Sequence, residues 1–257
     1  MIKAKHISLL LITKNESVNI KKHFNWLVNC PVINEIVAID DNSTDSTIDA
    51  LKSLETKHLK VKIYTHSLDR NFAAQRNWGI EKTKNNWVLW LDADEQPSPE
   101  MQKFLNNFTF NKKLVYAFKR DDIFLGKRLK YGETAYIYFT RLFNKNRGKF
   151  YRPVHEIWQS QQPTSYKEES LLHYSHQTLS SFLEKINFYS DIRSEELFQN
   201  NIQTNLFEII FYPFGKFIQN YIFKAGFFDS TPGIIIALGM SLHSFLVRAK
   251  LWHLYQK

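Results

Sequence analysis

The sequence predicts an α/β fold, built on a mostly parallel sheet with helices on both faces. Over the first 110 residues, short apolar runs alternate with segments of helical periodicity, and repeated β-α-β-α order implies parallel strands. The first run, residues 7–12, is apolar or small at every position, as in a strand buried on both faces. Polar clusters follow three of the runs, at strand ends that line the ligand crevice of such sheets.

The elements follow one another regularly up to residue 110. We expect strands at residues 7–12, 35–39, 61–64 and 87–91. Helices are expected at residues 19–28, 46–54 and 72–82. Beyond residue 110, short aromatic strand-like pieces occur at 114–118 and 135–143, and a helical region begins near Leu179. From residue 201 the composition shifts again, and Pro213 and Gly215 are expected to break an apolar segment there.

Composition excludes several classes of protein. The chain has 257 residues, of which 44% are hydrophobic and 23% charged, values typical of globular proteins. A single cysteine, Cys30, excludes a disulfide framework and a multi-cysteine zinc site, and fits a reducing compartment. The first apolar run is too short for a signal peptide, and no run reaches about 18 uninterrupted apolar residues. We therefore expect no confident transmembrane helix and a cytoplasmic active region.

Asp92 and Asp94 form the sharpest motif in the sequence. They lie two residues apart after a predicted strand, where paired carboxylates can chelate a hard divalent cation on a diphosphate. The alternative is a cluster of acids at the N-terminus of the next helix, where negative charge is favourable.

Two further polar loops flank this motif. Asp40 and Asp41 open an acidic stretch, residues 40–45, that suits ribose hydroxyls or a base N–H, or else caps the following helix. Arg70, Asn71 and Arg76 introduce the next helix and offer guanidinium groups to a phosphate, or else form a solvated helix face. No glycine fingerprint of a dinucleotide site or P-loop occurs, which disfavours both classes.

Four motifs together resemble the inverting family 2 glycosyltransferases, which have the GT-A fold. They are ISLLLITKNE at residues 7–16, IDDNSTD at 39–45, NFAAQRN at 71–77 and LDADE at 91–95. Their order and spacing agree over about the first 160 residues. Three later stretches, PVHE at 153–156, LHY at 172–174 and KAGF at 224–227, resemble bacterial lipopolysaccharide-core β-glucosyltransferases.

The resemblance implies a GT-A catalytic domain over residues 1–178, with a nucleotide-binding half at 1–110 and an acceptor-side half at 111–178. A helical, aromatic-rich extension follows at 179–257. The resemblance also implies a role for each matching residue: a catalytic base at Glu156, metal contacts at Asp94 and His173, and donor contacts at Thr13, Glu16, Asp40, Asp41, Arg76 and Asp92. Many members carry an Asp where this chain has Glu156 after His155. His173 is alternatively a structural histidine at a strand end.

The implied activity is a metal-dependent, inverting transfer of a hexose, with glucose favoured, from a UDP-sugar to a lipopolysaccharide-core or related saccharide. The implied cofactor is Mg²⁺ or Mn²⁺. Polyprenyl phosphate, capsule saccharide or a protein side chain remain alternative acceptors. A non-catalytic sugar-nucleotide binder remains a second class. The net charge of +9 suggests a nucleic-acid module, but no recognition motif accompanies it, so we expect no nucleic-acid partner.

The C-terminal segment is rich in phenylalanine and poor in acids. Residues 201–257 contain eight Phe but only Glu208 and Asp229 as acids, and their apolar positions recur at helical spacing. Such helices usually cover a domain core. A basic, Phe-rich helix also suits the surface of an anionic leaflet, so we expect peripheral association with the inner membrane as the leading alternative.

Overall fold

The computed structural model describes residues 6–69, 71–107, 109, 111–133, 137–152, 156–176 and 178–256. The chain divides into two compact units. One, here called the sheet unit, comprises Met1–Arg120 and Tyr136–His173. The other, here called the helical unit, comprises Asp121–Ala135 and Tyr174–Lys257.

The elements of the described chain are numbered in order. The strands are β1 (Ile7–Thr13), β2 (Ile33–Asp40), β3 (Lys60–Thr65), β4 (Trp87–Asp92), β5 (Glu95–Pro97), β6 (Val115–Phe124), β7 (Lys127–Arg128), β8 (Ile137–Asn144), β9 (Gly148–Tyr151), β10 (Ile157–Ser160) and β11 (Thr164–His176). The α-helices are α1 (Ser17–His23), α2 (Thr47–Lys52), α3 (Phe72–Lys82), α4 (Pro99–Asn107), α5 (Leu179–Gln199), α6 (Leu206–Ile218) and α7 (Ser230–Leu254).

The sheet unit is organised by a sheet in the order β3-β2-β1-β4-β8-β6-β11-β5. The first four strands are parallel, whereas β8 pairs antiparallel with β4. Successive residues of β1 enter different cores: Leu9 and Leu11 pack in one cluster and Leu10 in another. Both faces of this strand are therefore buried, as its continuous apolar sequence predicts.

Most predicted elements of the sheet unit are confirmed, and one is wrong in form. α3 begins and ends at the predicted residues 72 and 82. The helix expected at residues 19–28 is instead α1 followed by a short 3₁₀ helix, Asn25–Asn29. Phe24 and Trp26 are both buried in the same core. A continuous α-helix cannot achieve this, because residues two apart point in different directions.

The helical unit contains α5, α6 and α7, together with the β7 hairpin. α5 begins at Leu179, as predicted, with the Thr178 side chain accepting a hydrogen bond from Ser181 N. The expectation that Pro213 breaks the apolar segment is wrong, because α6 continues through it. Pro213 O accepts a hydrogen bond from Ser241 Oγ of α7 at 2.8 Å, so packing on α7 offsets the helix-breaking tendency of proline.

One helical stretch of the described chain, Gly226–Leu254, is long and apolar enough to cross a membrane by length and composition. Its most apolar 18-residue stretch has a mean hydropathy of 1.5. No such helix was expected, because no run reaches about 18 uninterrupted apolar residues. Ser241, His243 and Ser244 interrupt this one. Averaged over a window, these polar residues are outweighed by the surrounding Ile, Leu, Phe and Val.

Candidate active site

The carboxyl ends of β1, β2 and β4 bring three predicted site residues to one edge of the sheet. In the pairing register, Thr13 lies opposite Asp40, and Ile12 lies opposite Asp92. Thr13 Oγ1 donates to Asp40 Oδ1 at 3.0 Å. The expected convergence of polar strand ends is therefore present.

The acidic loop after β2 is closed by its own side chains. Asp40 accepts hydrogen bonds from Ser43 N at 2.8 Å and from Ser43 Oγ at 2.6 Å. Asp45 accepts from Thr47 N at the start of α2, and hydrogen bonds from the Ser17 and Thr47 hydroxyls lower the pKa of Asp45 to about 2. Both carboxylates thus shape the loop, as the capped-turn alternative predicts.

Asp41 and Glu16 lie beside this loop. Asp41 accepts from Leu68 N at 3.0 Å and pairs with Lys14 Nζ at 2.9 Å. Burial opposes ionisation of Asp41, but Lys14 and the Leu68 N–H outweigh it and hold the carboxyl pKa below its ordinary value. Glu16 precedes α1, and its Oε2 accepts from Asn19 Nδ2 at 2.7 Å. Thr13, Glu16, Asp40 and Asp41 are therefore grouped at the ends of β1 and β2.

Arg76 joins two predicted site residues that are far apart in sequence. Its Nε donates to Glu156 Oε1 at 2.6 Å, and its Nη2 lies 3.1 Å from Asp92 Oδ1. Arg76 is 4% exposed, and its guanidinium carbon stacks 3.9 Å from the centre of the Trp90 ring. Arg76 is therefore a buried residue that contacts two carboxylates, and it does not belong to a solvated helix face.

Arg141 of β8 approaches the same carboxylates, and sequence reasoning missed it. Its Nη2 donates to Asp92 Oδ2 at 3.2 Å and to Glu95 Oε1. Its guanidinium carbon lies 3.5 Å from the centre of the Trp90 ring. The only local signal is an arginine inside an aromatic strand, which does not reveal its partners.

Glu95 holds the turn that carries the two aspartates. Its Oε2 accepts from Asp92 N at 3.0 Å, while Oε1 accepts from Arg141. Glu95 is completely buried, and this burial raises its pKa despite the neighbouring arginine. For Asp92, burial acts in the same direction, but the charges of Arg76 and Arg141 outweigh it and hold the pKa well below its ordinary range. Asp92 therefore remains ionised at neutral pH.

Asp94 and His173 are brought together by the pairing of β5 with β11. His173 lies opposite Glu95 in that register, and His173 Nε2 lies 3.5 Å from Asp94 Oδ2. Within the described ranges, no group of three or more His, Cys, Asp or Glu residues is arranged to hold a metal ion. One carboxylate and one imidazole nevertheless suit a cation that takes its remaining ligands from a bound diphosphate and water. These two side chains could supply part of the coordination shell of a divalent cation.

Some of the predicted residues lie outside the described part of the chain. These are Arg70 and residues 153–155, which include His155 of the motif before Glu156. Asn71 is described, and its Oδ1 accepts from Ala74 N at 2.9 Å as the cap of α3. That hydrogen bond places Asn71 at the start of the helix that the sequence predicts there.

The family model named "Glycosyl transferase family 2" matches residues 8–169, more than half of the chain. The chain therefore belongs to glycosyl transferase family 2, and its α/β sheet with a C-terminal helical region agrees with the predicted GT-A fold. The match includes every predicted site residue except His173.

Curated relatives support the same class. An uncharacterized glycosyltransferase of Rickettsia bellii is 25% identical over 96% of this chain and 86% of its own length. The lipopolysaccharide core biosynthesis glycosyltransferase LpsC of Rhizobium meliloti is 22% identical over 98% of this chain and 94% of its own length. Among solved structures, S. aureus TarS 1–349 superposes with a TM-score of 0.47 at 13% identity, covering 98% of this chain and 91% of that chain.

Proposed function

We propose that the chain is an inverting, metal-dependent hexosyltransferase that moves a hexose, glucose in the first instance, from a UDP-sugar to a saccharide hydroxyl. The proposed acceptor is a lipopolysaccharide-core or related cell-surface saccharide carried on lipid. The observation that carries the proposal is Arg76, which holds Glu156 and Asp92 on one guanidinium. A candidate base and the first D-x-D carboxylate are thus held by one side chain, although they come from different segments.

This geometry suits a single displacement at the anomeric carbon. The acceptor oxygen forms a bond to that carbon while the bond to the diphosphate oxygen breaks, and Glu156 takes the proton of the acceptor hydroxyl. Glu156 comes from the segment between β9 and β10, not from the D-x-D turn. Inversion requires such separation, because the base and the leaving group lie on opposite faces of the sugar.

The remaining predicted residues are assigned to the donor. Thr13, Glu16, Asp40 and Asp41 would face the uridine, with Asp92 near the ribose and Arg76 near the diphosphate. Asp94 and His173 would hold Mg²⁺ or Mn²⁺. When bound, such a cation supplies positive charge beside the oxygens of the departing diphosphate.

The acceptor and the location rest on two observations. One relative is named for lipopolysaccharide core biosynthesis, and it matches nearly the full length of this chain. The helical unit also leaves many large apolar side chains exposed, which suits an enzyme working on a lipid-linked acceptor. We therefore place the enzyme in the cytoplasm, peripherally on the inner face of the membrane.

Glu156→Gln tests the proposed base. The amide keeps the size of the side chain and one oxygen for Arg76 but cannot take a proton, so turnover should fall by about 10²–10⁴-fold. Binding of the UDP-sugar, measured by calorimetry in the presence of Mn²⁺, should persist. The matched control is Glu195→Gln, the same substitution at an exposed glutamate, which should leave turnover unchanged.

The two readouts separate the competing functions. Full turnover in Glu156→Gln would show that the base lies elsewhere. Binding of the UDP-sugar by the wild-type chain without transfer to any saccharide acceptor would favour the non-catalytic binder. No binding of UDP, with Mn²⁺ or with EDTA, would overturn the glycosyltransferase proposal itself.

A further inference from the structure

One side of α6 carries large apolar side chains that are each more than half exposed. Phe207, Ile210 and Phe214 are 66%, 55% and 63% exposed, and Phe211 is more than half exposed as well. Their spacing of three and four residues places them along one side of the helix. The exposure continues beyond α6 at Phe223 and Phe228. These six residues are here called the aromatic face.

The other side of α6 is attached to the helical unit. Lys216 Nζ pairs with Glu133 Oε1 at 2.7 Å, and Ser241 Oγ of α7 donates to Pro213 O. Glu208 lies 3.6 Å from Arg248 Nε of α7. These contacts fix which side of α6 is turned outward, so the aromatic face is a consequence of packing and not of a detached helix.

The segment that carries the aromatic face, residues 201–257, contains two acids, and both are engaged in contacts. Its two acids are Glu208, which accepts from Thr204 Oγ1 and pairs with Arg248, and Asp229, which is buried. Asp229 accepts from Lys130 N and Tyr131 N at 2.9–3.1 Å. Lys224 is exposed between Phe223 and Phe228. The apolar face thus includes an exposed cation, Lys224, while both acids of its segment are engaged, which complements an anionic phospholipid surface.

The polar residues of α7 argue against insertion of that helix across a bilayer. Lys250 Nζ donates to Asn187 Oδ1 and Ser190 Oγ of α5, both at 2.8 Å, and lies 2.6 Å from Asp191 Oδ1. Arg248 pairs with Glu208 of α6. Spanning a membrane would break these contacts and move two cations into or across the hydrocarbon layer.

We propose that the aromatic face, on α6 and the segment that follows it, is a membrane-docking surface, with α6 lying in the plane of an anionic phospholipid leaflet while α7 stays within the helical unit. The inference rests on the proposed function only for the reason to dock, since a lipid-linked acceptor lies at such a surface. Binding of the aromatic face to lipid follows from its exposure and charge. The phenylalanine rings enter the boundary between headgroups and acyl chains, and Lys224 meets the headgroups.

Co-sedimentation of the full-length chain with vesicles tests the surface. Wild type should bind vesicles of phosphatidylglycerol and phosphatidylethanolamine and bind vesicles of phosphatidylcholine far less, with binding to the anionic vesicles weaker in 0.5 M than in 0.05 M NaCl. Phe207→Ser/Phe211→Ser/Phe214→Ser should lower the partition coefficient by at least about tenfold, because each substitution removes an inserted ring. As a single substitution in the wild-type chain, Lys224→Glu should also lower the partition coefficient for anionic vesicles in 0.05 M NaCl.

A matched control substitutes three exposed apolar residues of α5 in the same unit. Leu183→Ser/Phe188→Ser/Ile192→Ser should bind the vesicles as wild type does. Equal loss in both triple variants would overturn the assignment to α6. Calorimetric binding of UDP by each variant establishes that the fold is intact and separates failure of this inference from failure of the proposed function.

Three further outcomes would overturn the inference. If the wild-type chain does not sediment with anionic vesicles, the membrane is not the partner of the aromatic face. Self-association that the α6 triple variant abolishes, measured by light scattering without lipid, would assign the aromatic face to a second copy of the chain. Binding that resists a carbonate wash and is unaffected by the triple variant would indicate insertion of α7.

Discussion

Arg76 Nε donates to Glu156 Oε1 at 2.6 Å, across 80 residues of sequence, while Nη2 of the same guanidinium reaches Asp92. The buried arginine therefore sets the distance between the proposed base and the D-x-D turn. Its Nη1 is buried and has no hydrogen-bond partner in the described chain. In the proposed function, a phosphate oxygen of the UDP-sugar would be the acceptor for this unpaired donor.

Arg76→Lys should lower kcat/KM by about 10²–10³-fold, because an ammonium group cannot donate to both carboxylates in the planar geometry of a guanidinium. The matched control is Arg193→Lys at an exposed pair with Glu196, which should leave the kinetics unchanged. Steady-state rates at varied donor concentration measure both.

The Arg76 and Glu156 substitutions should also be non-additive. If the two side chains act as a unit, Arg76→Lys/Glu156→Gln should be little slower than the slower single variant. Full additivity of the two effects on kcat would contradict a shared role. The measurement is kcat of the wild type, the two single variants and the double variant with the same donor and acceptor.

Arg141 is expected to act as a positioning residue. It touches Asp92 and Glu95 but is buried behind them, so Arg141→Lys should raise the KM for the UDP-sugar by about tenfold through a misplaced D-x-D turn. Arg128→Lys, at a half-exposed pair with Asp121, is the control. A lower melting temperature with an unchanged KM would instead mean that Arg141 only stabilises the fold.

Asp94 and His173 are expected to govern the metal requirement. Asp94→Ala should abolish Mn²⁺-dependent binding of UDP, since the carboxylate would be the charged ligand of the proposed cation. His173→Ala should raise the Mn²⁺ concentration for half-maximal binding by about 10–100-fold. The exposed His253→Ala is the control. Calorimetry with Mn²⁺ and then with EDTA measures the effect, and an unchanged Mn²⁺ requirement in His173→Ala would assign His173 to structure alone.

Local patterns were sufficient to predict the sheet edge and its polar residues. β1, β2 and β4 are apolar runs that end in Thr13, Asp40 and Asp92, so their convergence follows from parallel topology alone. α3 was predicted to the residue because Asn71 caps its start and Thr83, with extended backbone, ends it. These signals lie within a few residues of the features they specify.

Features that depend on distant partners were not predictable from such patterns. Arg141 reaches Asp92 because β8 pairs antiparallel beside β4, and nothing near residue 141 encodes that pairing. Glu95 looked like a helix-start acid, but the pairing of β5 with β11 buries it. Pro213 was expected to end a helix, and only the packing of α6 on α7 explains why it does not.

Glu35 should make stability depend on pH. It is buried and accepts from Lys62 Nζ at 2.8 Å and Lys84 N at 2.7 Å. Burial raises its pKa, but these donors and Ser8 outweigh it, so the pKa in the folded chain lies below its ordinary value of 4.5. A lowered pKa stabilises the fold at pH values above 4.5, and that contribution is lost as the pH falls through the folded-state pKa.

Glu35→Gln measures the contribution of the Glu35 charge to the free energy of unfolding. The free energy of unfolding at pH 7 should fall by about 1–3 kcal/mol, because the donors from Lys62, Lys84 and Ser8 lose a charged acceptor. The difference between wild type and variant should shrink as the pH drops from 5 to 3, measured by urea denaturation. A constant difference over that range would mean that Glu35 contributes through packing and not through its charge.

Gly79 is expected to set how closely α3 approaches the sheet, and with it the position of Arg76 one turn earlier. A Cβ at Gly79 would lie 2.7 Å from Leu10 Cδ1 and 2.9 Å from Ile39 Cγ1, both completely buried. Gly79→Ala should therefore destabilise the chain by about 1–3 kcal/mol, although alanine favours the helix.

Gly215 of α6 provides the matched comparison for that substitution. A Cβ there meets nothing within 4 Å, so Gly215→Ala should stabilise the chain by up to about 1 kcal/mol through helix propensity alone. Thermal unfolding measures both variants. Because α3 carries Arg76, Gly79→Ala should also weaken binding of the UDP-sugar in calorimetry, whereas Gly215→Ala should not. A Gly79→Ala variant that is as stable as Gly215→Ala would show that Leu10 and Ile39 can yield, and that the close approach of α3 is not required.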